Sequence, residues 1–398
     1  MLRKVVFAAL ISFSLNLYSQ NNNISGLIKD YDTNLPIPYA YIYIKGTSFG
    51  TISNQDGHYV FFLPKKPTRD SVVVSCVGYS TRDFSLQGIN DSIFNVNLNT
   101  SPVLLQEITV VPLDIMVILK KAQDNISKNY PAKPSILKGV FHQSLKQNNL
   151  FVRLVDAAVE IYSPTYRSDK KEPNQIKLLN AKASLDNSII GSQIPYQPYL
   201  ILDLLFFNNT IGALIKSSDS YKFHYSGIIR YENMDLYVIE FNSLESLKAN
   251  YSTKGTIYID KETYAIVSFR AKTEKQYESK ISYRFNESLV NASLKFKTGE
   301  ARIDFVNLNS TWVLNYIGVK DIFTIRFNDN PELYNMEFFS ELFINESNLD
   351  KVIKSKESEL INPKEDLYKQ VGNYDNSIWN SFNRLMPTDF EKIIRNNY

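Results

Sequence analysis

Between Asn23 and Asn99, short apolar or alternating runs at 24–29, 39–45, 58–63, 71–77 and 93–98 are separated by Pro, Gly, Asn and Asp. The spacing of roughly 10 to 15 residues predicts an all-β sandwich. Asn54-Gln55-Asp56-Gly57 predicts a tight hairpin turn, with Gly57 supplying the positive φ at which a Cβ would clash. Pro36 and Pro38 keep the approach to the 39–45 run extended and off a central ladder. The period then changes. Ile115, Ile118, Leu119, Ala122 and Ile126 recur at helical spacing, with Asp114 at the start and Lys120, Lys121 and Lys128 later. Pro131 and Pro134 end that helix.

A long β-rich run follows, with strands expected near 136–146, 150–162, 175–184, 221–231, 235–243, 254–260, 264–273, 279–288, 293–298, 301–307, 311–319 and 321–328. Ile303 and Phe305 oppose Arg302 and Asp304, and Phe323, Ile325 and Phe327 oppose Thr324 and Arg326. Such alternation gives one dry and one wetter face, as in an antiparallel meander. Residues 197–216 read as a helix laid against that sheet. Residues 350–366, rich in Lys and Glu, read as a mobile loop. Trp379, Phe382, Leu385, Met386 and Phe390 read as a docking helix or tail.

Composition adds compartment. The leader carries Arg3 and Lys4, then an apolar stretch from Val5 to Leu15 and a small residue at Ser19, the layout of an export signal. That stretch is short for a membrane span, and no later window approaches 18 uninterrupted apolar residues. The expected division is therefore a signal peptide at 1–19, a sandwich at 22–99, a linker at 100–112, an α+β antiparallel-sheet domain at 113–346 and a polar, partly helical tail at 347–398. The formal charge is +3, from 44 Lys and Arg against 41 Asp and Glu, and falls to +1 without Arg3 and Lys4. So even a balance leaves no electrostatic footprint for nucleic acid. Cys76 is the single cysteine, so no disulfide forms within one chain. Aromatics at 13%, 26 Tyr and 24 Phe, suit pleated sheet.

The order Ile24-Ser25-Gly26-Leu27-Ile28, Leu35-Pro36-Ile37-Pro38, Gly50-Thr51-Ile52, Asn54-Gln55-Asp56-Gly57-His58-Tyr59 and Ser71 to Tyr79 resembles the carboxypeptidase regulatory-like domain. The resemblance implies a Greek-key β-sandwich of the transthyretin (prealbumin) type, in an exported or outer-membrane protein of Bacteroidetes-type bacteria. It also argues against the enzymatic activity its name suggests. Leu105 to Val111 is similar to the segment that leads into a plug and barrel in TonB-dependent receptors of those bacteria. Fewer than 300 residues follow it, too few for that machine. Met116–Tyr130, Phe141–Ser144 and Val155–Tyr162 resemble the region after the regulatory-like domain in Bacteroidetes surface proteins. The hairpin Lys254–Val267 is similar to one in curved-sheet periplasmic proteins of the lipoprotein-carrier type. The fold class is thus mainly β: a sandwich followed by an α+β domain with a large antiparallel sheet, open to curvature, and a few helices.

Candidate chemistry is sparse. A zinc carboxypeptidase needs a His-x-x-Glu pair and a distant His. His58, His142 and His224 are scattered, with Phe61, Leu145 and Gly227 three residues on. Cys76 lies in an apolar run, where a thiol is inert. No Gly-x-Ser-x-Gly elbow is present, and Gly46-Thr47-Ser48-Phe49-Gly50 lacks the lysine of a phosphate loop. Asn54, Asp56, Asn90 and Asp91 could offer oxygens to calcium, but Asn and Asp at turns cap their own backbone. No cofactor is therefore expected, and no catalytic or metal residue is assigned. Tyr39, Tyr41 and Tyr43 alternate along one strand face, and Tyr79 joins them as a candidate binding surface. The other reading of the tyrosines is that they seal the sandwich against the second domain.

Three functions follow from these readings. The leading one is a non-catalytic envelope protein that binds or scaffolds through its sandwich, with an envelope or outer-membrane protein partner. The second is a periplasmic carrier holding an apolar ligand or lipid in a curved sheet. A hydrolase, by family name alone or with a carboxylate pair hidden in the fold, is the third.

Overall fold

The computed structural model describes residues 23–64, 71–86, 93–102, 114–165, 173–185, 218–244, 251–285, 288–328, 330–362, 367–370, 379 and 382–383. The expected signal peptide, the 197–216 helix and nearly all of the linker lie outside them.

Two small sheets form the sandwich. One holds β4 (His58–Phe62), β1 (Asn23–Asp30) and β7 (Val96–Leu98) in that order; the other holds β3 (Gly50–Ile52), β2 (Tyr41–Ile44), β5 (Ser71–Ser75) and β6 (Arg82–Ser85). Ile28, Ile42, Ile44, Phe61, Val72 and Val74 interdigitate between them, each essentially inaccessible to solvent. The Asn54 turn forms as its residues predict. Asn54 Oδ1 accepts from the amides of Asp56 and His58, at 3.0 and 2.9 Å, and Gly57 sits at φ +77°.

The second domain is one ten-stranded antiparallel sheet. Its strands are β8 (Ser135–Gln147), β9 (Leu150–Ser163), β10 (Gln175–Leu185), β11 (Tyr221–Tyr231), β12 (Met234–Ser243), β13 (Tyr251–Asp260), β14 (Ile266–Phe285), β15 (Ser288–Leu308), β16 (Thr311–Phe327) and β17 (Leu333–Asn348). The order is β10-β9-β8-β17-β16-β15-β14-β13-β12-β11. The fold is mainly β, as the pattern implies, but three details differ from the sequence expectation.

The sheet is two meanders rather than one, because β17 returns to pair with β8 at its centre. No strand was expected there, since apolar residues such as Phe338, Phe339, Leu342, Phe343 and Ile344 are buried on both faces and alternation is lost. The breaks expected near 273–279 and 298–301 are register shifts inside unbroken strands, between Glu274 and Tyr277 and between Phe296 and Thr298. The loop expected at 350–366 is tied to the sheet edge over its described part. Lys177 Nζ meets Glu359 Oε1 at 2.6 Å, Ile361 N–H donates to the Ile176 carbonyl, and Ile361 is buried.

Each face of the sheet carries a different cover. Helix α1 (Ile115–Asp124), capped by Asp114 through the Met116 and Val117 amides, and the short α2 (Ile126–Asn129) lie on one face. Ile118, Leu119, Ala122 and Ile126 join Ile239, Ile257, Phe269, Ile303, Phe305 and Trp312 in one apolar cluster. The Tyr130 hydroxyl locks the helix end by donating to the Ile266 carbonyl at 2.7 Å and accepting from the Ile266 amide at 2.8 Å. The sandwich covers the other face. There Tyr41, Tyr43, Ile52 and Val73 pack on Val306, Val313, Tyr316 and Phe343. Farther along, Trp379 and Phe382 cover Val140 and Ala158.

Candidate functional site at the sandwich–sheet junction

The strand registers explain how charge reaches this junction. Glu240, Thr256, Arg270, Arg302, Gly318, Glu341, His142, Asp156 and Lys182 are successive cross-strand partners over nine strands, so they share the sandwich face. Asn242, Lys254, Lys272, Glu300, Lys320 and Phe339 form the neighbouring row. Where the sandwich base meets these rows, a groove of about 680 Å³ opens, floored by Arg270, Arg302 and Gly318 and roofed by Pro38, Tyr39 and Gln55.

Arg302 is the hub of the groove. Its Nε donates to Asp304 Oδ2 at 2.5 Å, and its Nη2 donates to the Tyr39 carbonyl at 3.2 Å. The guanidinium lies 5.1 Å from the Tyr39 ring centroid and 5.9 Å from that of Tyr316, within cation–π range. Burial works to lower the Arg302 pKa, but the Asp304 carboxylate and its neighbours more than reverse this, so the net displacement is upward. Ser268 Oγ donates to the other Asp304 oxygen at 2.6 Å. Tyr316 donates to Glu341 Oε2 at 2.8 Å, and burial pushes its phenol well above its ordinary pKa.

Tyr39 sits at φ +59°, a conformation that an aromatic side chain rarely adopts. It is held there by the Arg302 bond to its carbonyl, by its own amide donating to the Ser53 carbonyl at 3.0 Å, and by its ring lying 4.9 Å from that of Tyr316. Several partners thus hold the strained backbone in place, as is common at ligand clamps.

The junction is broad. Tyr43 donates to Glu232 Oε1 at 2.8 Å, Ser101 Oγ to the Arg230 carbonyl at 2.7 Å, Arg270 Nη2 to the Val77 carbonyl at 3.1 Å, and the Ser347 amide to Ser48 Oγ at 3.1 Å. Buried and half-buried polar bonds at well-separated points fix one orientation of the sandwich on the sheet.

The four candidate tyrosines separate. Tyr41 and Tyr43 stack on each other at 4.5 Å, with only 4% and 8% of their surface accessible, and press into the sheet rather than facing solvent. Tyr39 reaches the groove. Tyr79 stays against the sandwich core beside Asp30, where burial and that carboxylate raise its pKa. Sequence reasoning did not single out Arg270, Arg302, Lys254 or Glu341. The one visible signal was the wet face of β15, where Arg302 and Asp304 oppose Ile303 and Phe305.

The histidines remain apart. His142 meets an acid, its Nδ1 2.8 Å from Asp156 Oδ1. Among the described residues no group of three or more His, Cys, Asp or Glu could hold a metal ion. Cys76 is buried in the sandwich core.

The N-terminal architecture, two small sheets enclosing one thin core with a parallel β1–β7 pair, defines a regulatory-type β-sandwich. Residues 24–110 match the family model of the CarboxypepD_reg-like domain, so this part of the chain is a regulatory-like domain. Over 101 residues the chain is 32% identical to the TonB-dependent receptor SusC of Bacteroides thetaiotaomicron, a match covering 25% of this chain and 9% of the receptor. Two solved structures align with 60% and 61% of the chain. One is described as an outer membrane lipoprotein-sorting protein domain from Vibrio parahaemolyticus (13% identity, 94% of that chain covered), the other as a LolA superfamily protein from Nitrosomonas europaea (11%, 96% covered). Both have a TM-score of 0.22, at which the likeness carries no weight. No described helix is long and apolar enough to cross a membrane.

Proposed function

We propose that the chain is an exported, non-catalytic binding or scaffolding protein of the bacterial cell envelope, its regulatory-like sandwich presenting the large sheet to an envelope partner. The single observation that carries this reading is the junction itself. A regulatory-like domain, in a stretch of chain similar to part of a TonB-dependent receptor, is fixed to the sheet by Tyr41, Tyr43 and dispersed polar bonds, so it is part of one binding body. The carrier reading is weaker on this geometry. Helix α1 occupies the apolar face of β12–β16 that such a ligand would need.

The test is fractionation of native cells with in situ cross-linking. Recovery in periplasmic or outer-membrane fractions, cross-linked to an envelope protein, is the expected result. A cytoplasmic, uncross-linked chain would refute it.

A further inference from the structure

We infer that the groove under the sandwich binds a small organic anion, one carrying a carboxylate- or phosphate-type oxyanion beside an aromatic or apolar surface. This goes beyond the envelope role and stands on the groove's own chemistry, wherever the protein resides. The lining holds five cations (Lys254, Arg270, Lys272, Arg302 and Lys320) against two acids (Glu240 and Glu300). Three of the cations are neutralised locally: Lys272 by Glu300 at 3.0 Å, Lys320 by Glu337 at 3.3 Å and Arg302 by Asp304. Arg270 and Lys254 form no ion pair with a described carboxylate. Both also stand directly across from another cation, Arg270 from Arg302 and Lys254 from Lys272.

Like charges directly opposite each other in an antiparallel pair destabilise it; Asp304 and Glu300 answer one member of each pair, and an anion in the groove would answer Arg270 and Lys254. A second observation points to the same place. Arg270 lines the groove as a fixed cation, its Nη2 donating to the Val77 carbonyl at 3.1 Å and its guanidinium lying 5.3 Å from the Tyr258 ring centroid. Arginine's planar donors suit carboxylate and phosphate oxygens. Tyr39, held at positive φ, and Phe339 supply rings for the ligand's apolar part. The volume of about 680 Å³ lies in the range typical of small-molecule sites, roughly 300–1,000 Å³.

The test is fluorescence titration of the full chain with 7-methoxycoumarin-3-carboxylate, 4-methylumbelliferyl phosphate and uncharged 7-methoxycoumarin. Saturable binding of one or both anions is expected, weakening as salt rises, with the neutral probe binding at least about tenfold more weakly. Preference for one anion identifies which oxyanion the groove serves. Arg270→Met should weaken anion binding about tenfold or more, the scale of one charge-assisted hydrogen bond. Because Arg270 also braces Val77, the exposed Lys254→Gln provides the variant that keeps the fold. It should weaken binding severalfold with an unchanged melting curve, while Glu240→Gln strengthens it. Equal binding of the neutral probe, or wild-type affinity in a folded Lys254→Gln and a folded Arg270→Met, would overturn the inference. Because fractionation plays no part in this titration, failure here leaves the envelope reading standing, and the reverse holds.

Discussion

A Cβ built on Gly318 would stand 2.3 Å from the Tyr316 hydroxyl oxygen, so Tyr316 can lie along β16 and reach Glu341 only because residue 318 has no side chain. Gly318→Ala should therefore cost about 1–3 kcal/mol by overpacking a buried junction. Tyr316→Phe removes the closest clashing atom together with the bond to Glu341. The double variant should accordingly be more stable than the sum of the two single effects predicts. Urea midpoints of the four proteins check this. Strict additivity would mean that the contact at Gly318 does not constrain Tyr316.

The Gly318–Tyr316 relationship also marks where sequence reading runs out. The sandwich was legible because its information is local: the Asn54 turn, Gly57 and the Pro36–Pro38 approach each fix backbone by their own chemistry. Helix α1 was legible from its period and its Asp114 cap. The groove was not, because Arg270, Arg302 and Gly318 come side by side only through strand register, a long-range quantity that bulges at 274–277 and 296–298 shift further. Strand β17 was hidden for a related reason. Burial on both faces erases the alternation that would announce it. The tyrosine row was visible, but whether it faced solvent or the sheet depended on where the second domain docked.

Arg302 and Asp304 form a nearly buried pair, with side chains 17% and 10% exposed. Arg302→Met leaves the Asp304 carboxylate without its cation and should cost about 3–5 kcal/mol. Adding Asp304→Asn removes the stranded charge and keeps an acceptor for Ser268. The double variant should recover part of that loss in a chemical denaturation cycle. If Arg302→Met alone were neutral, the pair would not hold the junction.

Glu232 gives the junction a pH signature. Burial raises its carboxyl above the ordinary 4.5, opposed in part by the hydrogen bond from Tyr43. A raised folded pKa means that the folded state binds more protons than the unfolded chain just above pH 4.5. This group's contribution is therefore most favourable below that pH and declines as pH rises through the folded pKa. In Glu232→Gln the decline disappears, while Tyr43 keeps an acceptor. The variant's stability relative to wild type should grow from about pH 4.5 upward and then level off, read from melting curves across pH. A constant difference across that window would show that Glu232 does not titrate with folding.

Phe343, fully buried on β17, meets the ring of Tyr41 of β2 in an edge-type contact, their centroids 6.1 Å apart. Truncating it to Ala removes the centre of the apolar contact between sandwich and sheet, at a cost of about 3–5 kcal/mol. If the two domains open as one unit, the loss appears on both sides of the junction. Hydrogen exchange in Phe343→Ala should show faster exchange at the β2 and β3 amides as well as in β17. The far strands of the sheet, β9 and β10, should change least, since their contacts do not pass through Tyr41. Wild-type protection in β2 and β3 together with a weakened β17 would mean that the sandwich keeps its own stability. The junction would then be a contact between independent domains, and the picture of one rigid binding body would have to be abandoned.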